Sequence, residues 1–190
     1  MKKISIVTAA LFFLATTGFA QTWTWDKPHS QLNFSVTHLG IATIAGTFNT
    51  VEAKITASKD DFSDASVELT ADVNSINTNN EQRNTHLKSE DFFDAAKYGA
   101  LTFKSTSFTR TGDKKYKVEG DLTFHGVTKH VTLDATYNGT ITHPMNKKLV
   151  AGFFVTGVIK RSDFGIGPKF PAQFLSDEVT LNASAEFVKD

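Results

Sequence analysis

From Trp23 to the C-terminus the chain alternates apolar and polar residues with a period of two. In QLNFSVTH (31–38), Leu32, Phe34, Val36 and His38 fall on one side, Asn33, Ser35 and Thr37 on the other. The same pattern places Val67, Leu69, Ala71 and Val73 together, then Tyr116, Val118, Gly120, Leu122 and Phe124. It recurs in Val131, Leu133, Ala135 and Tyr137, and in Val179, Leu181, Ala183, Ala185 and Phe187. Weaker alternation runs through 43–56, 101–108 and 151–161. Successive strand side chains point to opposite faces, so each run is a strand with one buried face. Together these make eight strands. Phe48 and Val51 are both apolar but of opposite parity, which predicts a bulge at Asn49 or Thr50. Gly112-Asp113, His125-Gly126, Asn138-Gly139 and Gly165-Ile166-Gly167-Pro168 supply turn signals between runs.

Period two fails only between Asn79 and Gly99. Asn79 with Gln82 resembles a capping box, and Ser89 before Glu90 and Asp91 marks a second helix start, with Gly99 as its left-handed stop. We therefore expect an all-β fold with a short helical segment around residues 80–98, read as two short helices. Eight antiparallel strands with short turns favour a sheet closed on itself, since closure removes exposed edges. An eight-stranded antiparallel barrel is just wide enough to be filled by side chains or to hold one small ligand. Ala71, Gly120, Ala135, Gly157, Ala183 and Ala185 face the same interior as a set of phenylalanines. That mixture fits tight interdigitation as well as a partly vacant lumen; seventeen Phe in the chain favour an aromatic-lined cavity.

The first twenty residues are of another kind. Lys2 and Lys3 precede the apolar run ISIVTAALFFLA, and small residues occupy 18 and 20. This is the layout of a secretory signal peptide over residues 1–20, too short to span a bilayer. Residues 21–190 then form one domain, about 170 residues long and large enough for a core of its own. Twenty basic residues match twenty acidic ones; without Lys2 and Lys3 the remainder carries about two net negative charges. Such a balance provides no basic footprint for nucleic acid and no polybasic stretch for a membrane surface. With no cysteine, thiolate, iron–sulfur and cysteine–zinc chemistry are excluded.

The remaining chemistry is sparse. Six histidines include no His-x-His pair on a strand and no HExxH, so no metal site is expected. Nucleophile elbows and phosphate-cradling glycine loops are absent. Glu90, Asp91 and Asp94 are acids at a helix start, which the helix dipole accounts for. No catalytic residues and no cofactor are assigned, and the chain reads as a binding protein rather than an enzyme.

Several segments resemble one known family. HSQLNFSVTHLGIATIAGTF (29–48), RNTHLKSEDFFDAAKYGALTFKST (83–106), VEGDLTFHGVTKHVTL (118–133), KRSDFGI (160–166) and SDEVTLNASAEF (176–187) look like successive motifs of the YceI-like proteins, in the same order. The sequence departs from the pattern at Asn84, where many members carry Asp, at Gly99, where Pro is common, and at Lys160, where Asn often precedes the Arg. Loss of that Asp implies a weaker Arg–Asp contact in the helical region. The resemblance implies an eight-stranded, lipocalin-like antiparallel barrel, exported to the periplasm. It also implies an elongated pocket for a polyisoprenoid or a similar long amphiphile such as an isoprenoid quinone. Closure of that pocket within one chain and closure by a homodimer both remain open.

On this reading the pocket is lined from the strands by Phe34, Val36, Phe48, Leu69 and Phe103, and by Leu122, Phe124, Phe153 and Val155. Phe92 and Phe93 join them from the helical flap, whose Arg83, Lys88, Glu90 and Asp91 stay in water. His38, Arg83 and His86 are the candidates for contact with a ligand head group. The alternative is a barrel filled by its own side chains, acting as a stress-related interaction module without a lipid.

Overall fold

The computed structural model describes residues 20–190; the expected signal peptide lies almost wholly outside the described residues. Eleven strands, β1 (Gln21–Trp25), β2 (Gln31–His38), β3 (Ala42–Phe48), β4 (Val51–Ala57), β5 (Ser66–Asp72), β6 (Ile76–Asn77), β7 (Ala100–Gly112), β8 (Lys115–Phe124), β9 (Val127–Thr142), β10 (Leu149–Lys160) and β11 (Leu175–Lys189), form one antiparallel sheet. The order β1-β4-β5-β7-β8-β9-β10-β11 returns to β1 through Trp23–Lys189, Thr24–Val188 and Trp25–Phe187, which closes an eight-strand barrel.

The eight sequence runs account for nine of the eleven strands; β1 and the two-residue β6 lie outside them. A 3₁₀ turn at Lys27–His29, where Pro28 cannot donate to a ladder, separates β1 from β2. β11 pairs with β1 near its C-terminus and with β2 along the rest of its length. β3 and β4 are one run, broken at Asn49–Thr50 where the parity slip predicted a bulge. The break turns both Phe48 and Val51 inward, each 4% exposed. A second shift, between Ser105 and Ser107, lets Phe103 and Phe108 both face the interior although their parity differs.

Two local expectations are corrected. Asn138-Gly139 is not a turn. β9 continues to Thr142, with Gly139 at φ 124° opposite Gly152 and a register shift beside it, and the reversal is made by 143–148. The second helix is also absent. α1 (Glu81–Lys88) forms, capped by Asn80 rather than Asn79, with the Asn80 side chain accepting from the Arg83 N–H at 2.9 Å. After Ser89 the chain makes a series of turns, and Asp94 (φ 43°) takes the left-handed conformation in place of Gly99. The reason is packing. Phe92 and Phe93 are both buried, whereas adjacent residues on a regular helix point about 100° apart.

The core lies inside the ring, and each end has a cap. At the lower end, residues 58–65 between β4 and β5 insert Phe62, which is 1% exposed. Its ring packs edge-on against Trp23 and Phe153, with centroids at 5.2 and 5.1 Å, and tilted against Tyr137 at 5.2 Å. Small interior residues are partly compensated by their neighbours. A β-carbon at Gly120 would overlap the Phe103 ring, and one at Gly157 would overlap Leu133. At the upper end, α1 and residues 89–99 cross the opening between β3 and β7.

Candidate functional site

Interdigitation does not fill the bore. Two cavities remain, stacked along the barrel axis. The upper, of about 370 Å³, lies beneath the flap; the lower, of about 120 Å³, lies above the Phe62 plug.

All eleven residues expected to line a pocket border one of these spaces. Phe34, Val36, Phe92, Phe93 and Phe124 face the upper cavity. Leu69, Phe103, Leu122, Phe153 and Val155 face the lower one, and Phe48 faces both. His38, Arg83 and His86, drawn from β2 and from α1, line the upper cavity together. The polar groups therefore gather at one end. The lower cavity is walled by strand residues such as Leu69, Val118, Leu133 and Phe187, with no charged side chain on its wall. His38 and Phe174 line the upper cavity and are themselves exposed, so it reaches solvent between the β2–β3 turn and the 171–174 segment. Leu39 and Ile41 stand exposed on that rim, where the Leu39 N–H donates to the Phe174 carbonyl at 2.9 Å.

Each polar group at the upper end has a traceable environment. Arg83 donates from Nε to Thr78 Oγ1 at 2.8 Å and from Nη2 to the Thr78 carbonyl at 2.7 Å. The buried Asn84 accepts at Oδ1 from the Thr78 hydroxyl at 2.7 Å and from the Thr78 N–H at 2.8 Å. Arg83 and Asn84 thus meet through Thr78. Among the described residues Arg83 Nη1 has no hydrogen-bond partner. His86 stands edge-on to Phe92, centroids 5.0 Å apart, and its Nε2 lies 3.4 Å from Asp91 Oδ2. Phe92 in turn stacks on Phe170 at 4.7 Å. Lys169 donates to Asp91 Oδ1 at 2.7 Å, tying the flap to the loop before β11. That ammonium is the main reason the Asp91 carboxyl titrates below its ordinary value.

Arg161 is the polar residue that the sequence left without a role. It lines the upper cavity and is 7% exposed, yet it meets no carboxylate within hydrogen-bonding reach. Nε donates to the Ser176 carbonyl at 3.1 Å, and Nη1 to those of Ile166 and Gly167 at 3.0 and 2.7 Å. Nη2 donates to the carbonyls of Phe170 and Leu175, the latter at 3.0 Å. A guanidinium has five N–H donors, and all five are engaged. Arg161 therefore shapes the loop that forms one wall of the mouth and has no donor left for a ligand. Leu87, readable beside Phe92 and Phe93 as an apolar residue of the flap, also lines the cavity, whereas Thr78, Ile166 and Phe170 were unforeseen. In the lower cavity Leu32 and Phe187 were on alternating faces and readable as lining, whereas Trp25 and Phe108 were not.

On the outer surface Asp26, His29 and Glu186 bring three ligating atoms within 4.8 Å of one another. The His29 Nδ1–Asp26 Oδ2 hydrogen bond of 2.9 Å accounts for the pairing, and it raises the His29 pKa. Among the described residues no helix is long and apolar enough to cross a membrane.

A closed eight-strand antiparallel barrel, plugged below and lined by apolar side chains beneath a polar mouth, defines the lipocalin-like class of binding barrels. The YceI-like domain matches residues 23–187, and the chain belongs to that family. A UPF0312 protein of Staphylococcus aureus strain N315 is 37% identical over 169 residues, covering 87% of this chain and 96% of the relative. Among solved structures, the Campylobacter jejuni YCEI protein is 34% identical with a TM-score of 0.73, covering 81% of this chain and 90% of that one. A polyisoprenoid binding domain from Saccharophagus degradans, implicated in plant cell wall breakdown, shares the fold at 18% identity and a TM-score of 0.67, covering 90% and 99%.

Proposed function

We propose that this protein binds, and carries or sequesters, a polyisoprenoid or a similar long-chain amphiphile such as an isoprenoid quinone, outside the cytoplasm. The observation that carries the reading is the polarity of the bore. Every charged or imidazole group that faces the vacant space lies in the upper cavity, and the lower cavity is apolar throughout. An amphiphile with one small polar head and a branched hydrocarbon tail matches that gradient. Burial of its tail is favourable by about 25 cal/mol per Å² of apolar surface, and it needs no directional bonds. Dry apolar cavities of this size accept apolar guests in place of water. Arg83, His86 and His38 are placed to meet the head. Arg161, with its donors engaged, holds the wall.

The Saccharophagus degradans domain, described as polyisoprenoid binding, supports a hydrocarbon occupant for this fold. Export and a periplasmic location rest on the basic, apolar and small residues of 1–20. The vacant space counts against the filled-barrel alternative. Catalysis is not part of the proposal.

The test is lipid extraction and mass spectrometry of protein purified from its native compartment. A stoichiometric long-chain isoprenoid is the expected result. Protein that emerges without any long-chain molecule, and whose melting temperature is unmoved by added quinones or polyprenols, refutes the proposal.

A further inference from the structure

Phe48, Leu101 and Leu181 face both cavities, and no other side chain does so except as a neighbour of these three. They come from β3, β7 and β11, so together they border the passage between the two spaces. Phe48 is the largest. It is 4% exposed, its ring lies 5.7 Å from Phe34 and 6.4 Å from Phe124, and it is the last ladder residue before the break at Asn49–Thr50. Phe34 leaves room for it only by lying over Gly46, where a β-carbon would overlap the Phe34 ring.

We infer that Phe48 is the specificity-determining residue for tail length. A short isoprenoid tail fits the upper cavity, and a long one is held only when the Phe48 ring swings aside and admits its end to the lower cavity. The inference rests on the carrier reading above and deepens it. Three features lead to it. The head-group candidates all lie above the ring, so a bound tail points down towards it. The lower cavity has the apolar wall a tail end requires, and Phe153 of that wall packs against the buried Phe62 beneath. Rotation of an aromatic side chain about its two torsions is also a local event, unlike displacement of a strand.

Trp25 reports on the lower cavity, whose wall it joins; Trp23 is the only other tryptophan of the chain. The experiment uses full-length protein carrying Trp23→Phe, with polyprenyl alcohols brominated at the last isoprene unit. One probe has a tail of about two units and the other of about eight, and affinity is measured separately by calorimetry. The long probe is expected to quench Trp25, whereas the short probe binds without quenching it. Adding Phe48→Ala should raise the affinity for the long probe relative to the short one by about tenfold, the scale of one lost steric barrier. Phe48→Leu, which preserves apolar bulk, should give a smaller shift in the same direction and serves if the alanine variant does not fold. Equal quenching of Trp25 by both probes, or an unchanged affinity ratio in the folded variant, overturns the inference while leaving the carrier reading intact. Failure of both probes to bind overturns the carrier reading itself.

Discussion

At the lower end of the barrel, Phe62 is enclosed by Trp23, Tyr137 and Phe153, and the Tyr116 hydroxyl donates to the neighbouring Asp61 carbonyl. At the upper end, Phe92 is also buried, but it stacks on Phe170 beside a cavity of about 370 Å³. The segment that carries it is tied down by polar links: Arg83 and Asn84 to Thr78, and Asp91 to Lys169. The lower cap has hydrogen bonds of its own, from Ser58 and Lys59 to Asp64 and from Tyr116 to Asp61, but aromatic rings fill its centre. The other is held by hydrogen bonds that fix its position without filling what lies beneath. Aromatic packing excludes a guest, and a hydrogen-bonded rim can surround one. On the proposed carrier function, the contrast puts entry at the upper end and a stop at the lower.

The largest effect that can break this comparison comes from truncating the two aromatic caps. Phe62→Ala should lower the unfolding free energy by about 3–5 kcal/mol, since it opens a new cavity in a sealed aromatic cluster. Phe92→Ala should cost about half as much, because its ring already borders vacant space and its removal extends a cavity rather than creating one. Urea unfolding of both variants measures the difference. Equal losses would mean that the upper cap is as tightly packed as the lower one.

Arg161 comes next. Arg161→Met retains the aliphatic stem and strips the donors from the carbonyls of Ser176, Ile166, Gly167, Phe170 and Leu175. Stranding buried acceptors costs about 1–3 kcal/mol each where water cannot reach them. The mouth is close to solvent, so a total of about 3 kcal/mol is expected, with faster amide exchange confined to 165–175. Thr78→Val is a smaller change of similar shape. It removes the hydroxyl that donates to Asn84 and accepts from Arg83, at an expected cost of about 1–2 kcal/mol and with no change at the Phe62 end. Exchange that quickens equally at both ends would show that the caps are not independent.

The sequence displayed the frame of this molecule better than its caps. Alternation at period two is a direct image of strand geometry, so the ring, and even the break beside Phe48, could be read from parity alone. The eleven lining residues followed from the same faces and from the paired phenylalanines of the flap. Arg161 was different. Its partners are backbone carbonyls spread over eleven residues, and a backbone acceptor has no signature in a side-chain pattern. Phe62 sits in the polar run KDDFSDA, with no period to place it; its one signal was to be a lone aromatic among charges and turn formers. Asn138-Gly139 misled because the same pair that makes a tight turn also relaxes a strand at a register shift. What the chain encodes through neighbours in space rather than neighbours in sequence was the part that remained hidden.

The smallest expected effect sharpens the comparison through pH. Asp91 titrates below its ordinary value, chiefly because the Lys169 ammonium donates to it and to a lesser extent because of His86. Its folded pKa is depressed, so the stabilisation is complete above the unfolded carboxyl value of about 3.9 and disappears as pH falls through the lower folded value. Both side chains are solvent-accessible, and salt screens the pair, so the contribution is modest. The lower cap holds depressed carboxyls of its own: Asp61 accepts from Ser63 and pairs with Arg110, and Asp64, against its burial, accepts from Ser58 and Lys59. Acid therefore loosens both ends, and the Asp91–Lys169 tie is isolated by substitution. On lowering the pH from about 5 to about 3, amide exchange at 89–95 should quicken about twofold more in the native sequence than in Lys169→Met. The two proteins should respond alike at 60–65. A pH response at 89–95 that Lys169→Met leaves unchanged would show that general acid loosening, rather than the Asp91–Lys169 tie, governs how the flap opens.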